Sequence, residues 1–341
     1  MTLSHLSESL TEVVSQTTSR PRTLPELASY FAAREELDNP DVVTPLDTLR
    51  MTEEGTLAIP GQGTFALTDW TRQQLSNLLG IRWDRWFFEA SGLERADEIN
   101  RRLSRRSNAM RLRTSRVAAV ANGKPGVVRA IVSPSFTPIA DSRFAMLLMT
   151  CLRDADADLK VSRFVATDRT VSYVVAIGKP FGANVSDRVV GDVAGTLLIR
   201  NSGVGFSSLV ACLHVVRLIC LNGMVCPVDD LIALRQPHRS FDEQRLLARL
   251  TEGFANLPGR LAEGAKRLAA ARSIVVSDPV AELIRLLHDA HLPRRLLPQL
   301  ESAYAIEPEA TAFGVSQAAT RASQTLTPEE RFELDRVAGL Y

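Results

Sequence analysis

Residues 159–220 read LKVSRFVATDRTVSYVVAIGKPFGANVSDRVVGDVAGTLLIRNSGVGFSSLVACLHVVRLIC. Runs rich in Val, Ile and Leu, at Leu159–Ala166, Val171–Ile177, Arg188–Val193, Gly195–Arg200 and Leu209–Cys220, are separated by turn residues such as Asp168 and Gly191-Asp192. Short apolar runs punctuated in this way predict strands. The connections leave no room for repeated crossover helices, so neighbouring strands should run antiparallel. Upstream, Met110–Val120 and Val127–Ser133 continue the pattern on either side of Asn122-Gly123, and one helix is inserted at Ser142–Arg153. The expected fold class is α+β: a mostly antiparallel β-sheet core with flanking helices and a helical C-terminal region.

Outward from this stretch the period becomes helical. Thr68 or Asp69 can cap a helix over Trp70–Leu79 that Gly80 stops, because an oxygen-bearing side chain satisfies the first free N–H groups and glycine tolerates the left-handed exit. A second amphipathic segment, Arg82–Ala90, carries Trp83, Trp86 and Phe87 at core spacing, and a third runs from Leu93 to about Ser107. Downstream, Leu247, Leu250, Phe254, Leu257, Leu261, Ala265 and Leu268 step by three and four, with Pro258-Gly259 expected to kink or split that helix. Asp278-Pro279 should open the next helix, near Val280–Ala290, and another follows at Arg294–Tyr304. The Ser-, Thr-, Ala- and Gln-rich stretch Gly314–Thr327 reads as a linker before a terminal helix begun by Thr327-Pro328-Glu329-Glu330. Four parts result: a partly ordered acidic arm (1–55) with one short helix at Leu24–Glu36, an α+β core (56–239), a helical region packing on it (240–305), and a linker with a terminal helix (306–341).

The chain has 341 residues, 45% of them hydrophobic and 23% charged, with a formal net charge of +1. Near-neutrality excludes a uniformly basic nucleic-acid binder. The charge is nevertheless segregated: residues 1–60 hold ten acidic residues against four arginines, a local charge of −6, and residues 101–129 carry +9 with no acidic residue. Four unevenly spaced cysteines make no disulfide framework, so a reducing compartment is expected. Met1–Thr18 has no basic start or continuous apolar stretch, so no secretory signal is expected. Leu209–Leu221, the most apolar run, is broken by His214 and Arg217 and falls short of the roughly 20 residues a membrane helix needs. The expected setting is cytoplasmic, without a membrane.

The basic segment contains Arg101, Arg102, Arg105, Arg106, Arg111, Arg113, Arg116, Lys124 and Arg129. Unpaired arginines are too costly to bury, so they face solvent or an anion. The first four share a helical face and Arg111 and Arg113 share a strand face, a helix-to-strand band suited to a phosphate backbone. The competing reading is a solvated face paired with the acidic arm. Arg200-Asn201-Ser202-Gly203-Val204-Gly205 is either a phosphate-binding nest or a strand-to-strand turn, and it lacks the lysine and helix of a Walker loop. Cys212, His214, Cys220, Cys226 and His238 have no metal-ligand spacing, so neither metal nor cofactor is expected. No nucleophile comes with a matching base, and no catalytic residue is assigned.

Three stretches carry a resemblance. They are Leu67-Thr68-Asp69-Trp70 with Gln74-Leu75 and Leu79-Gly80-Ile81; Val128–Ser133 with Pro138-Ile139-Ala140-Asp141; and Leu198–Gly205 with Val216-Arg217-Leu218-Ile219-Cys220-Leu221-Asn222-Gly223-Met224. In order and spacing the chain resembles the phage/plasmid-like proteins of the domain of unknown function numbered 932, over roughly residues 56–305. It departs from that pattern at Ser135-Phe136, Ser142 and Arg82. The resemblance implies a mobile-element setting and marks Asn201, Ser202, Gly203, Gly205, Arg217, Cys220, Asn222 and Gly223 as motif residues without a known role. Three readings follow: a nucleic-acid-binding protein, binding or annealing single-stranded DNA and forming a homo-oligomer; an interaction protein acting on a host or phage partner through its helical C-terminal third; or an enzyme using Asn201, Ser202, Asn222 and His238.

Overall fold

The computed structural model describes residues 21–81, 90–116, 126–153, 159–185, 188–217, 224–227, 234–239 and 241–338. Residues 82–89 of the aromatic helix expected at Arg82–Ala90, and the turn Asn122-Gly123, lie outside them. The fold is α+β, with two β-sheets and ten described α-helices, six of them in a C-terminal helical region.

The N-terminal segment enters the fold as helix α1 (Leu24–Glu35), capped by Thr23, whose Leu24, Leu27 and Phe31 are buried. The first sheet has the order β1-β5-β6-β4-β3-β2, formed by β1 (Val42–Pro45), β2 (Arg50–Met51), β3 (Leu57–Ile59), β4 (Gly63–Leu67), β5 (Ala109–Ser115) and β6 (Val127–Val132). Only β4 and β6 pair in parallel. Helices α2 (Asp69–Leu79) and α3 (Gly92–Leu103) cover one face, closing a core of Leu57, Leu67, Leu75, Ile99, Leu112 and Ile131. Thr68 caps α2 and Gly80 ends it at φ 64°, as the sequence predicts.

Helix α4 (Asp141–Leu152) leads into the second sheet, ordered β11-β10-β9-β8-β7 with β12 beside β10 and antiparallel throughout. Its strands are β7 (Leu159–Ala166), β8 (Val171–Val185), β9 (Arg188–Asn201), β10 (Leu209–Arg217), β11 (Met224–Pro227) and β12 (Leu234–Gln236). Arg188–Val193 and Gly195–Arg200, read as two strands, form one. Both faces are covered: Tyr173, Val175, Leu197, Ile199, Ala211 and Leu213 pack beneath α1, α4, α5 (Glu243–Phe254) and α6 (Leu257–Ala271), whereas the alternate residues Leu198, Val210 and Cys212 meet Phe332. Period-two alternation therefore separates two apolar faces, and the run looks continuously hydrophobic in sequence.

The C-terminal helices α7 (Pro279–Asp289), α8 (Leu297–Ile306), α9 (Ala312–Ser323) and α10 (Pro328–Val337) share a third core. Asp278 caps α7, Thr327 and Glu330 form a capping box on α10, and the Pro258-Gly259 step follows a break between α5 and α6 at Asn256, as anticipated. The expected linker at Gly314–Thr327 is instead mostly helix α9, buried from Ala312 to Thr320. Small Ala, Ser and Gly side chains let neighbouring backbone approach closely: a Cβ on Gly314 would lie 2.1 Å from the Glu309 carbonyl oxygen. Among the described residues no helix is long and apolar enough to cross a membrane.

Candidate nucleic-acid interface

The arginines of the basic segment separate into two groups. Helix α3, started by the Ser91–Glu94 capping box, ends at Leu103 and not near Ser107, so Arg105 and Arg106 lie in the turn beyond it. Glu98 binds Arg101 and Arg102, each at 2.6 Å, and is held below the usual carboxylate range first by its hydrogen bond from Arg101. Arg102 also donates to the carbonyls of Leu79 and Gly80, at 3.0 and 2.8 Å, capping the C-terminus of α2. Arg105 and Arg106 are exposed and make no side-chain hydrogen bond or ion pair with the described residues.

The strand arginines face inward. Arg111 and Arg113 share one face of β5, as their spacing requires, and both reach Asp41, at 3.4 and 3.1 Å. Arg111 also donates to the Pro134 carbonyl, and Arg113 to that of Gly203. Arg129 pairs with Asp38 at 2.5 Å, and Arg116 donates to the Glu36 carbonyl at 2.7 Å. The side chains of Arg111, Arg113, Arg129, Asp38 and Asp41 are only 15–26% exposed. These carboxylates precede β1, which pairs with β5. For this half of the band the reading as a face paired with the acidic arm describes the geometry. Lys124 lies outside the described residues.

The motif Asn201–Gly205 is a turn between β9 and β10 that docks the second sheet on the first. Asn201 donates to the Ile139 carbonyl and to Asp141, each at 2.8 Å. Ser202 donates to the Arg169 carbonyl and accepts the Phe206 N–H, at 2.7 and 2.9 Å. The Val204 carbonyl accepts Trp70 Nε1 and Gln74 Nε2, at 3.0 and 3.3 Å. Gly205 has φ 77° and its Cβ position lies 3.0 Å from Val132 Cγ1, so both conformation and space select glycine. The carbonyls of Gly203 and Val204 are thus turned to protein donors, which favours the strand-to-strand turn over the nest. Arg217 ends β10 and its side chain lies outside the described set, as do Cys220, Asn222 and Gly223.

Compared with protein-family models, curated proteins and solved structures, the chain matches none. Its chemistry is therefore argued from its own residues. Asp141, half-buried beside Asn201, Arg34 and Arg129, has its carboxyl pushed up to about 6, chiefly by burial. His238 stacks on Phe136 with ring centroids 5.0 Å apart and is lowered by burial, and His214 is driven down to about 3 by the same cause. Burial raises the Cys212 thiol to about 11, the reverse of an activated nucleophile. Among the described residues no group of His, Cys, Asp and Glu is placed to hold a metal. Sequence reasoning did not single out Glu98, Asp38 or Asp41 as individual partners. The absence of any carboxylate between residues 101 and 129 was the available signal that such partners come from elsewhere.

Proposed function

We propose that the protein binds nucleic acid, single-stranded DNA first, through an arginine corner made by Arg105 and Arg106. One observation carries this reading: Arg105 and Arg106 stand exposed, without a side-chain partner among the described residues, while Arg102, Arg113 and Arg129 are held by Glu98, Asp41 and Asp38. Exposed guanidinium groups beside one another gain from phosphate by releasing its counterions. The Asp38 and Asp41 contacts remove Arg111, Arg113 and Arg129 from that surface, so the site is smaller than the sequence band. The resemblance of three stretches to phage/plasmid-like proteins agrees with a DNA-handling role in a mobile element.

The test is binding of single- and double-stranded oligonucleotides at two salt concentrations, with mass by light scattering for the homo-oligomer. Replacing both Arg105 and Arg106 by alanine should weaken binding and reduce the salt slope by about 1.4 on single strands and about 1.8 on duplex, at roughly 0.7 and 0.9 per lost phosphate contact. Unchanged affinity and slope in that double variant would remove the site. A second reading is an interaction protein acting through its C-terminal third, where Ile274, Val275, Val280 and Ile306 are exposed. A stoichiometric protein partner retained after nuclease treatment distinguishes it.

A further inference from the structure

A cavity of about 290 Å³ lies between α2, α3 and the β2–β3 hairpin, away from the arginine corner's exposed turn. Its floor is apolar, built from Leu67, Leu75, Ile81, Ala96 and Ile99, all buried members of the first core. Its roof is the hairpin, which is rigidly held. Asn100 clamps the Met51 backbone from both sides, accepting its N–H at 2.7 Å and donating to its carbonyl at 2.9 Å. The Thr52 and Thr56 hydroxyls bond each other at 2.8 Å across the turn. Gly92 permits the contact with α3, because a Cβ there would stand 2.3 Å from the Glu53 carbonyl oxygen. These contacts tether the roof to α3 through the backbone.

The charged residues around it are not equivalent. Arg72 and Arg95 are half-buried in the wall, whereas Glu53 and Glu54 are exposed at the rim. Arg95 has no ion pair among the described residues, and Arg72 has only a 3.4 Å contact with exposed Asp69. The Thr52 hydroxyl holds Glu54 below the usual carboxylate range, so it keeps its charge at the solvent-facing rim. Water and salt screen the rim carboxylates more than the recessed guanidinium groups. The cavity wall thus carries two half-buried arginines above an apolar floor.

We propose that this cavity is a binding site for a small apolar carboxylic acid, its hydrocarbon body on the floor and its carboxylate between Arg72 and Arg95. The volume suits roughly ten to fifteen non-hydrogen atoms, at the lower end of ligand pockets. Isothermal titration calorimetry on the full chain at pH 7.5, with 2-naphthoate, 2-naphthalenemethanol and 2-naphthylmethylamine as probes, tests it. The acid should saturate a single site and bind about tenfold tighter than the alcohol, with the amine weakest, as charge-assisted pairing to arginine requires. The Arg72→Gln, Arg95→Gln double variant should lose that tenfold and keep the alcohol's affinity. Ala96→Phe should abolish all binding; if it does not fold, the glutamine variant, checked by circular dichroism, decides. Equal affinity for the three probes, no saturable binding of the acid, or wild-type acid binding in the glutamine variant would overturn the site.

Discussion

Asp141 occupies the first position of α4, where the helix dipole favours a negative charge, yet burial prevails and its carboxyl sits at about 6, against 3.8 ordinarily. The folded chain thus keeps a proton over a range where the unfolded chain has lost it. Stability falls as pH rises from about 4 to about 6, and the penalty is fully present above that range. Asp141→Asn retains an oxygen to accept the Asn201 amide and removes the penalty. Its melting temperature should exceed the wild type's at pH 8, with the difference vanishing near pH 4; a pH-independent difference would show that ionisation there costs nothing. The position of Asp141 was visible in the second resembling stretch. Its environment was not, because Arg34 and Asn201 come from distant parts of the chain.

At the scale of elements, α10 decides whether the second sheet has one covered face or two. Phe332 is 1% exposed against Leu198, Val210 and Cys212, and the Arg200 guanidinium lies 4.2 Å from its ring centroid while pairing with Glu333 at 2.5 Å. Arg163 adds a 2.9 Å pair with Asp335. Phe332→Ala should cost about 3–5 kcal/mol, the usual price of truncating a buried aromatic ring, and denaturant unfolding would measure it. A loss below about 1 kcal/mol, within the range of substitutions away from the core, would mean that α10 is not seated on the sheet. The helix itself was legible from Thr327-Pro328-Glu329-Glu330, a local capping signal. Helix α9 was not, since Ser, Thr, Ala and Gln compose linkers and close-packed helices alike, and only burial separates the two.

Across the whole molecule, the N-terminal segment ties the sheets together. Helix α1 packs in the second sheet's core, β1 pairs with β5 in the first sheet, and Asp38 and Asp41 between them neutralise arginines at the junction. A chain beginning at residue 56 should therefore fail to unfold cooperatively, exposing Tyr173 and leaving Arg111, Arg113 and Arg129 without their carboxylates. Coincident fluorescence and circular dichroism transitions at wild-type denaturant concentrations would contradict this. Strand and helix periods, the caps at Thr68, Asp278 and Thr327, and the stop at Gly80 were determined by the sequence alone, because each depends on residues within one or two turns of chain. So was the demand that the arginines of residues 101–129 face solvent or an anion, since burying them unpaired is too costly. Which anions they meet was decided by tertiary structure. Asp38 and Asp41 reach Arg129, Arg111 and Arg113 across 70 to 91 residues of sequence, and no local spacing encodes a pairing that exists only once β1 lies beside β5.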